Sequence, residues 1–136
     1  MLASMSVIGW INTILIIILL IIGGRTLFTY IRGRQVATML TNEEFKEGMH
    51  HAQVVDVREK SRFDASHIMG ARSIPFAELR AYVGTLRKDI PVYLYDDGKA
   101  ISLRVAVQLH KDGFDKVYIL KGGFLHWDGK KKKTKL

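Results

Sequence analysis

Residues 1–24, "MLASMSVIGWINTILIIILLIIGG", carry no charged side chain, and from Val7 to Ile22 they are aliphatic except at Gly9, Trp10, Asn12 and Thr13. A helix needs about 20 mostly apolar residues to cross a bilayer, and this run supplies them. A cleaved signal peptide is the competing reading. It calls for a basic leader, a shorter apolar run and a small-x-small cleavage site, and none of these stands out. The expectation is a retained transmembrane helix over 1–24, followed by a juxtamembrane helix or linker over 25–40, a folded domain over 41–129 and a basic tail over 130–136.

Charge sets the orientation. No basic residue precedes the apolar run, whereas Arg25, Arg32 and Arg34 follow it, with Phe28 and Tyr30 among them. The positive-inside rule then predicts a single-pass protein of the cell membrane, with its N-terminus outside and its C-terminal domain cytoplasmic. All 13 acidic residues fall within 41–129, where 13 of the 21 basic residues balance them. The net charge of +8 therefore resides on those three arginines and on Lys130, Lys131, Lys132, Lys133 and Lys135. A nucleic-acid-binding domain carries its charge on the folded surface, so no nucleic-acid partner is expected. Charge on the flanks suits contact with anionic lipid headgroups; the plainer reading of "KKKKTKL" is a disordered solubilising tail. Cysteine is absent, which fits a reducing compartment and excludes disulfides, thiolate metal sites and cysteine catalysis.

The 136 residues leave room for one domain of ordinary size. "TNEEFKEGMHH" opens a short helix, with Thr41 and Glu44 at capping-box spacing. "AQVVDV", "IPVYLY" and "DKVYIL" read as buried strands. "REKSRFDASHIMGARSIP" reads as loop with a brief strand at Ser73 and Ile74. "FAELRAYVGTLRKD" has a helical apolar face, and Ile101 to Asp112 forms the next helix, with Gly113 just past its end. Strands alternating with helices predict a parallel sheet covered on both faces. No metal-ligand cluster, Walker motif or dinucleotide glycine pattern is present, so no cofactor and no metal is expected.

Three landmarks follow in order: "VVDVREKSRFDASHIMGARSIP", the strand and loop "VYLYDDGKA", and "GFDKVYILKGGFLHW". Together they resemble the signatures of the rhodanese family over roughly 41–128. The resemblance implies an α/β domain with a central parallel sheet of about five strands flanked by helices, here preceded by one N-terminal transmembrane helix. Family members that transfer sulfur carry C-x-x-G-x-R after the central strand. The cysteine holds the sulfur as a persulfide, in a cradle of backbone N–H groups at a helix N-terminus.

Aligning the loop glycine on Gly98 puts Tyr95 at the cysteine position and Ala100 at the arginine position, with Asp96, Asp97 and Lys99 between. A shift of one residue offers Asp96 at the cysteine position, still no thiol. Aspartyl phosphoryl transfer needs magnesium held by further carboxylates, and no third acid is near in sequence. A tyrosine of ordinary pKa, about 10, is a poor nucleophile without a base. A carboxylate just before a helix instead interacts favourably with its dipole, so Asp96 or Asp97 is expected to fill the cradle from within, and Lys99 to pair with one of them.

The resemblance also assigns structural roles. Asp56 and Arg58 are expected to brace the loops above the sheet, and His67 to pack and hydrogen-bond. Gly122 and Gly123 are expected to form a tight turn, and Trp127 to fill core. The functional expectation is a catalytically inactive rhodanese-like module, not an enzyme, that binds a membrane protein or membrane-associated complex. Its candidate surface is Tyr95, Asp96, Asp97, Gly98, Lys99, Ala100 and Ile101, with Arg25, Arg32, Arg34 and Lys130–Lys133 at the membrane. The alternative is a sulfurtransferase-related protein whose partner supplies the cysteine.

Overall fold

A computed structural model describes residues 6–134; residues 1–5 of the expected span and Lys135 of the tail lie outside the described residues. Helix α1 runs from Val7 to Val36 without interruption. The Ser6 hydroxyl accepts from the Gly9 N–H at 3.2 Å and caps it. Its large apolar side chains from Val7 to Ile22 are exposed all round, and the helix is long and apolar enough to cross a membrane. The helix does not stop at the end of the apolar run. It continues past Arg25, and at Gly33 it reaches the folded domain.

Beyond Val36 the chain alternates strand and helix. The strands are β1 (Thr38–Leu40), β2 (Gln53–Asp56), β3 (His67–Ile68), β4 (Arg72–Ser73), β5 (Val92–Tyr95), β6 (Val117–Leu120) and β7 (Lys131–Lys132). The helices are α2 (Asn42–Gly48), α3 (Lys60–Ala65), α4 (Leu79–Tyr82) and α5 (Ala100–Lys111). Five strands form one sheet in the order β1-β6-β5-β2-β4, every pair parallel. β3 and β7 form a separate antiparallel pair. The anticipated five-stranded parallel sheet between helices is therefore present.

Alternation along β5 divides the core. Val92 and Leu94 enter a cluster with Leu103, Leu109, Phe114 and Ile119. Tyr93 and Tyr95 enter the opposite one, with Phe45, Ile68, Leu120 and Trp127. A strand buried on both faces reads as a continuous apolar run for this reason. On the second face Thr41 and Glu44 make the expected capping box on α2.

Several segments differ from expectation. The sheet begins at Thr38, ahead of the domain start at 41, because β1 adds an edge strand beside β6. The loop-like segment after β2 contains α3. The helical face over 76–86 is cut into short turns, with α4 flanked by 3₁₀ segments at Phe76–Glu78 and Val83–Thr85. The basic tail is tied down as far as Thr134. Lys131 and Lys132 pair with Ile68 and His67, and the Thr134 N–H donates to Asp64 O at 3.0 Å. Lysine side chains on such a short edge stay in solvent while the backbone pairs.

The lower part of α1 packs against α5. Gly33 is buried, and a Cβ there would lie 2.8 Å from Leu103 Cδ2 and 2.9 Å from Leu103 O. Contacts advance together along the two helices, Tyr30 with Lys99 and Gly33 with Leu103. The N-terminus of α5 therefore points toward the apolar end of α1. The loop before α5 lies on that same side.

Candidate functional site: a loop closed by its own carboxylate

The loop between β5 and α5 begins one residue later than the alignment on Gly98 suggests. Tyr95 is the last residue of β5, and the strand's alternation turns it inward, where it is fully buried. Its hydroxyl accepts from the Ile68 N–H at 3.1 Å. Burial, with the neighbouring Asp56, pushes the phenol well above its ordinary value. Tyr95 is thus a neutral core residue and not a member of the candidate surface.

Asp96 is the first residue past the strand and is also buried. Its carboxylate accepts from the Ile101 N–H at 3.2 Å, the Ser102 N–H at 3.4 Å and the Ser102 hydroxyl at 2.6 Å. Those amides are the second and third of α5, the donors that a helix leaves unpaired at its N-terminus. Asp96 therefore occupies the anion-binding end of α5 and satisfies it, as a capping acceptor reaching back from the loop. It too leaves the candidate surface: a carboxylate consumed by three internal donors is unavailable to a ligand.

Asp97 turns the other way. Its carboxylate receives Arg58 Nη1 at 3.2 Å and is also bonded to Arg62 from α3. Lys99 pairs with neither aspartate; its ammonium lies 6.0 Å from the centre of the Tyr30 ring on α1. Gly98, Ala100 and Ile101 are exposed and Asp97 and Lys99 half-buried, so the accessible part of the loop is 97–101.

Arg58 and Asp56 are joined beneath the loop. Arg58 binds Asp56 through Nε at 3.1 Å to each oxygen and through Nη2 at 2.7 Å, and Nη2 also reaches Ser66 O at 2.7 Å. Its guanidinium lies 4.2 Å from the Phe124 ring centre. Burial disfavours the Arg58 charge, but the Asp56 bonds outweigh it and hold the guanidinium above its ordinary value. His67 stacks on Phe63 at 3.7 Å, and its Nδ1 is 2.7 Å from Phe63 O. Trp127 packs edge-on against Phe45 in the core. The 122–125 turn holds the loop from above: Phe124 N–H donates to Asp96 O at 2.8 Å and Leu125 N–H to Asp97 O at 3.3 Å.

Four participants lie outside the residues singled out from sequence: Arg62, Ser102, Phe124 and Leu125. Ser102 carried a local signal, a hydroxyl at the third position of a helix that follows an aspartate. Arg62 and Leu125 arrive from distant elements, and no local pattern marks them.

The remaining chemistry is limited. No cysteine exists in the chain, the cradle is filled by Asp96, and Arg58 is fully engaged. The residue five places along is Ala100 counted from Tyr95, or Ile101 counted from Asp96. Neither offers the family's loop arginine.

Residues 41–130 match the rhodanese-like domain. YqhL of Bacillus subtilis is 43% identical over 107 residues, covering 79% of this chain and 85% of that protein. The thiosulfate sulfurtransferase GlpE of Coxiella burnetii is 35% identical over 74 residues, 54% of this chain and 69% of that one. Among solved structures, a rhodanese-like domain from Anabaena superposes with a TM-score of 0.65 at 26% identity, covering 70% of this chain and 78% of that one. With the five-stranded parallel sheet, the Asp56–Arg58 brace and the loop at the N-terminus of α5, the chain belongs to the rhodanese-like domain family, in a form without the catalytic cysteine.

Proposed function

We propose that this protein is a membrane-anchored, catalytically inactive rhodanese-like module that binds a membrane protein or membrane-associated complex at the cytoplasmic surface. One observation carries the reading: the buried Asp96 carboxylate takes the donors at the α5 N-terminus that a persulfide would use. A site closed in this way repels thiosulfate and other anionic sulfur donors, whichever subunit brings the thiol. The fold is kept while its chemical centre is replaced, which leaves recognition as the role for that face.

The surface available for recognition is the outer rim of the loop. It comprises Lys99, Ala100 and Ile101, with Leu125 exposed at 72% beside them. Exposed Ile101 and Leu125, with Lys99 and Arg62 among the loop's neighbours, give this rim the composition of a small binding patch. Anchoring raises the local concentration of partners in the same membrane, so a modest interface suffices.

Photo-cross-linking from native membranes tests this reading. A photoreactive residue at position 101 or 125 should capture a discrete membrane partner, while one at the exposed Tyr82 should not. Identical profiles from all three positions would show that the loop rim is not the interface.

A further inference from the structure

Between α1 and the first turn of α5 lies a cleft of about 500 Å³. On one side are Arg25, Thr26, Thr29 and Tyr30; on the other are Ala100, Ile101, Leu103 and Arg104. Two arginines and three hydroxyl-bearing residues, Thr26, Thr29 and Tyr30, line it, and no carboxylate does. Neither arginine forms a salt bridge among the described residues. The Arg104 guanidinium lies 4.5 Å from the Phe76 ring centre. Stacking engages only the face of a guanidinium and leaves its N–H edge free to donate.

The position of the cleft names its occupant. At 1.5 Å per residue, Val7–Gly24 spans roughly 27 Å, close to the hydrocarbon thickness of about 30 Å. Arg25 then emerges among the headgroups, and the cleft opens at its level. Because α5 runs in the same direction as α1, its positive end faces the leaflet and not the cytoplasm. The exposed Ile101, in the first turn of α5, supplies an apolar surface on the side where acyl chains begin.

We propose that this cleft seats the phosphate of an anionic phospholipid, held by Arg25 and Arg104 with the Thr26 and Thr29 hydroxyls beside them. The proposal rests on the membrane-spanning reading of α1 but not on the identity of any protein partner. Its consequence is structural: a bound headgroup bridges the anchor helix and the recognition loop. The loop face is then held against the lipid surface, where only partners at the membrane can reach it.

Native mass spectrometry of the full-length protein with equimolar phosphatidylglycerol and phosphatidylcholine tests the site. The wild type should retain phosphatidylglycerol over phosphatidylcholine by about thirtyfold, from two basic groups acting at an anionic surface. The double variant Arg25→Gln/Arg104→Gln should retain both lipids equally, while Arg80→Gln keeps the preference. Equal retention by the wild type, or an unchanged preference in the double variant, overturns the cleft. Loss of bound phosphatidylglycerol to millimolar inorganic phosphate also overturns it, since the ligand is then free phosphate and not a lipid. Alkaline carbonate extraction separates the underlying reading: release of the chain defeats the span itself, whereas retention without anionic preference defeats only the cleft.

Discussion

Replacing Arg58 with alanine is expected to lower unfolding free energy by about 3–5 kcal/mol, the usual cost of removing one partner of a buried ion pair. Asp56 is fully buried, and among the described residues Arg58 is its only charged partner. Truncation leaves that carboxylate in the core facing Tyr95 and the backbone of the loop. The same change takes one donor from Ser66 O and leaves Asp97 with Arg62 alone, so the damage spreads to the loop. Denaturant unfolding of the full chain in detergent measures it. The double variant Asp56→Val/Arg58→Met should recover part of the loss, because the stranded charge is gone. A single variant as stable as the wild type would mean the pair braces nothing.

The second large effect is expected at Gly123, where alanine should destabilise by about 3 kcal/mol, strain and steric overlap acting together. Gly123 sits at φ 68° and ψ −176°, a region that essentially only glycine occupies. A Cβ there would also lie within contact distance of the carbonyl oxygens of both Asp97 and Gly98, and 2.7 Å from Asp97 C. The Asp97 carbonyl cannot swing aside without losing the Leu125 N–H that the same turn donates to it. Gly98 provides the contrast: its φ is not positive and nothing lies within 4 Å of a Cβ. Gly98→Ala should therefore change stability by less than about 0.5 kcal/mol. Thermal unfolding of the two variants side by side gives the comparison.

Elements whose side chains alternate or recur were readable in the sequence. The apolar runs of β2, β5 and β6, the 3.6-residue face of α5 and the Thr41–Glu44 cap each have a local chemical cause. The spans that escaped have none. β1 is three residues, too short to show a period although Leu40 enters the core, and β7 is two lysines whose pairing with β3 leaves no trace in side-chain pattern. α3 holds one large apolar residue, Phe63, so it shows no apolar face. In the loop, glycine alignment placed Tyr95 at the chemical position, while strand alternation places it in the core with Tyr93. A shift of one residue in a strand exchanges faces, and that shift moves Asp96 onto the helix N-terminus. The filled cradle was legible as chemistry; which aspartate fills it depended on register.

That distinction also separates the two aspartates by role. Asp96 closes the site from inside, and Asp97 ties Arg58 and Arg62 across its mouth. Both act on cations and amides that the protein itself supplies, so an incoming anion meets negative charge and finds the Ile101 and Ser102 amides already taken.

The central claim is that this loop performs no sulfur transfer, and thiocyanate formation by the full-length protein from thiosulfate and cyanide tests it most directly. The rate should equal that of buffer at every protein concentration. Thiocyanate produced in proportion to the protein present would contradict it.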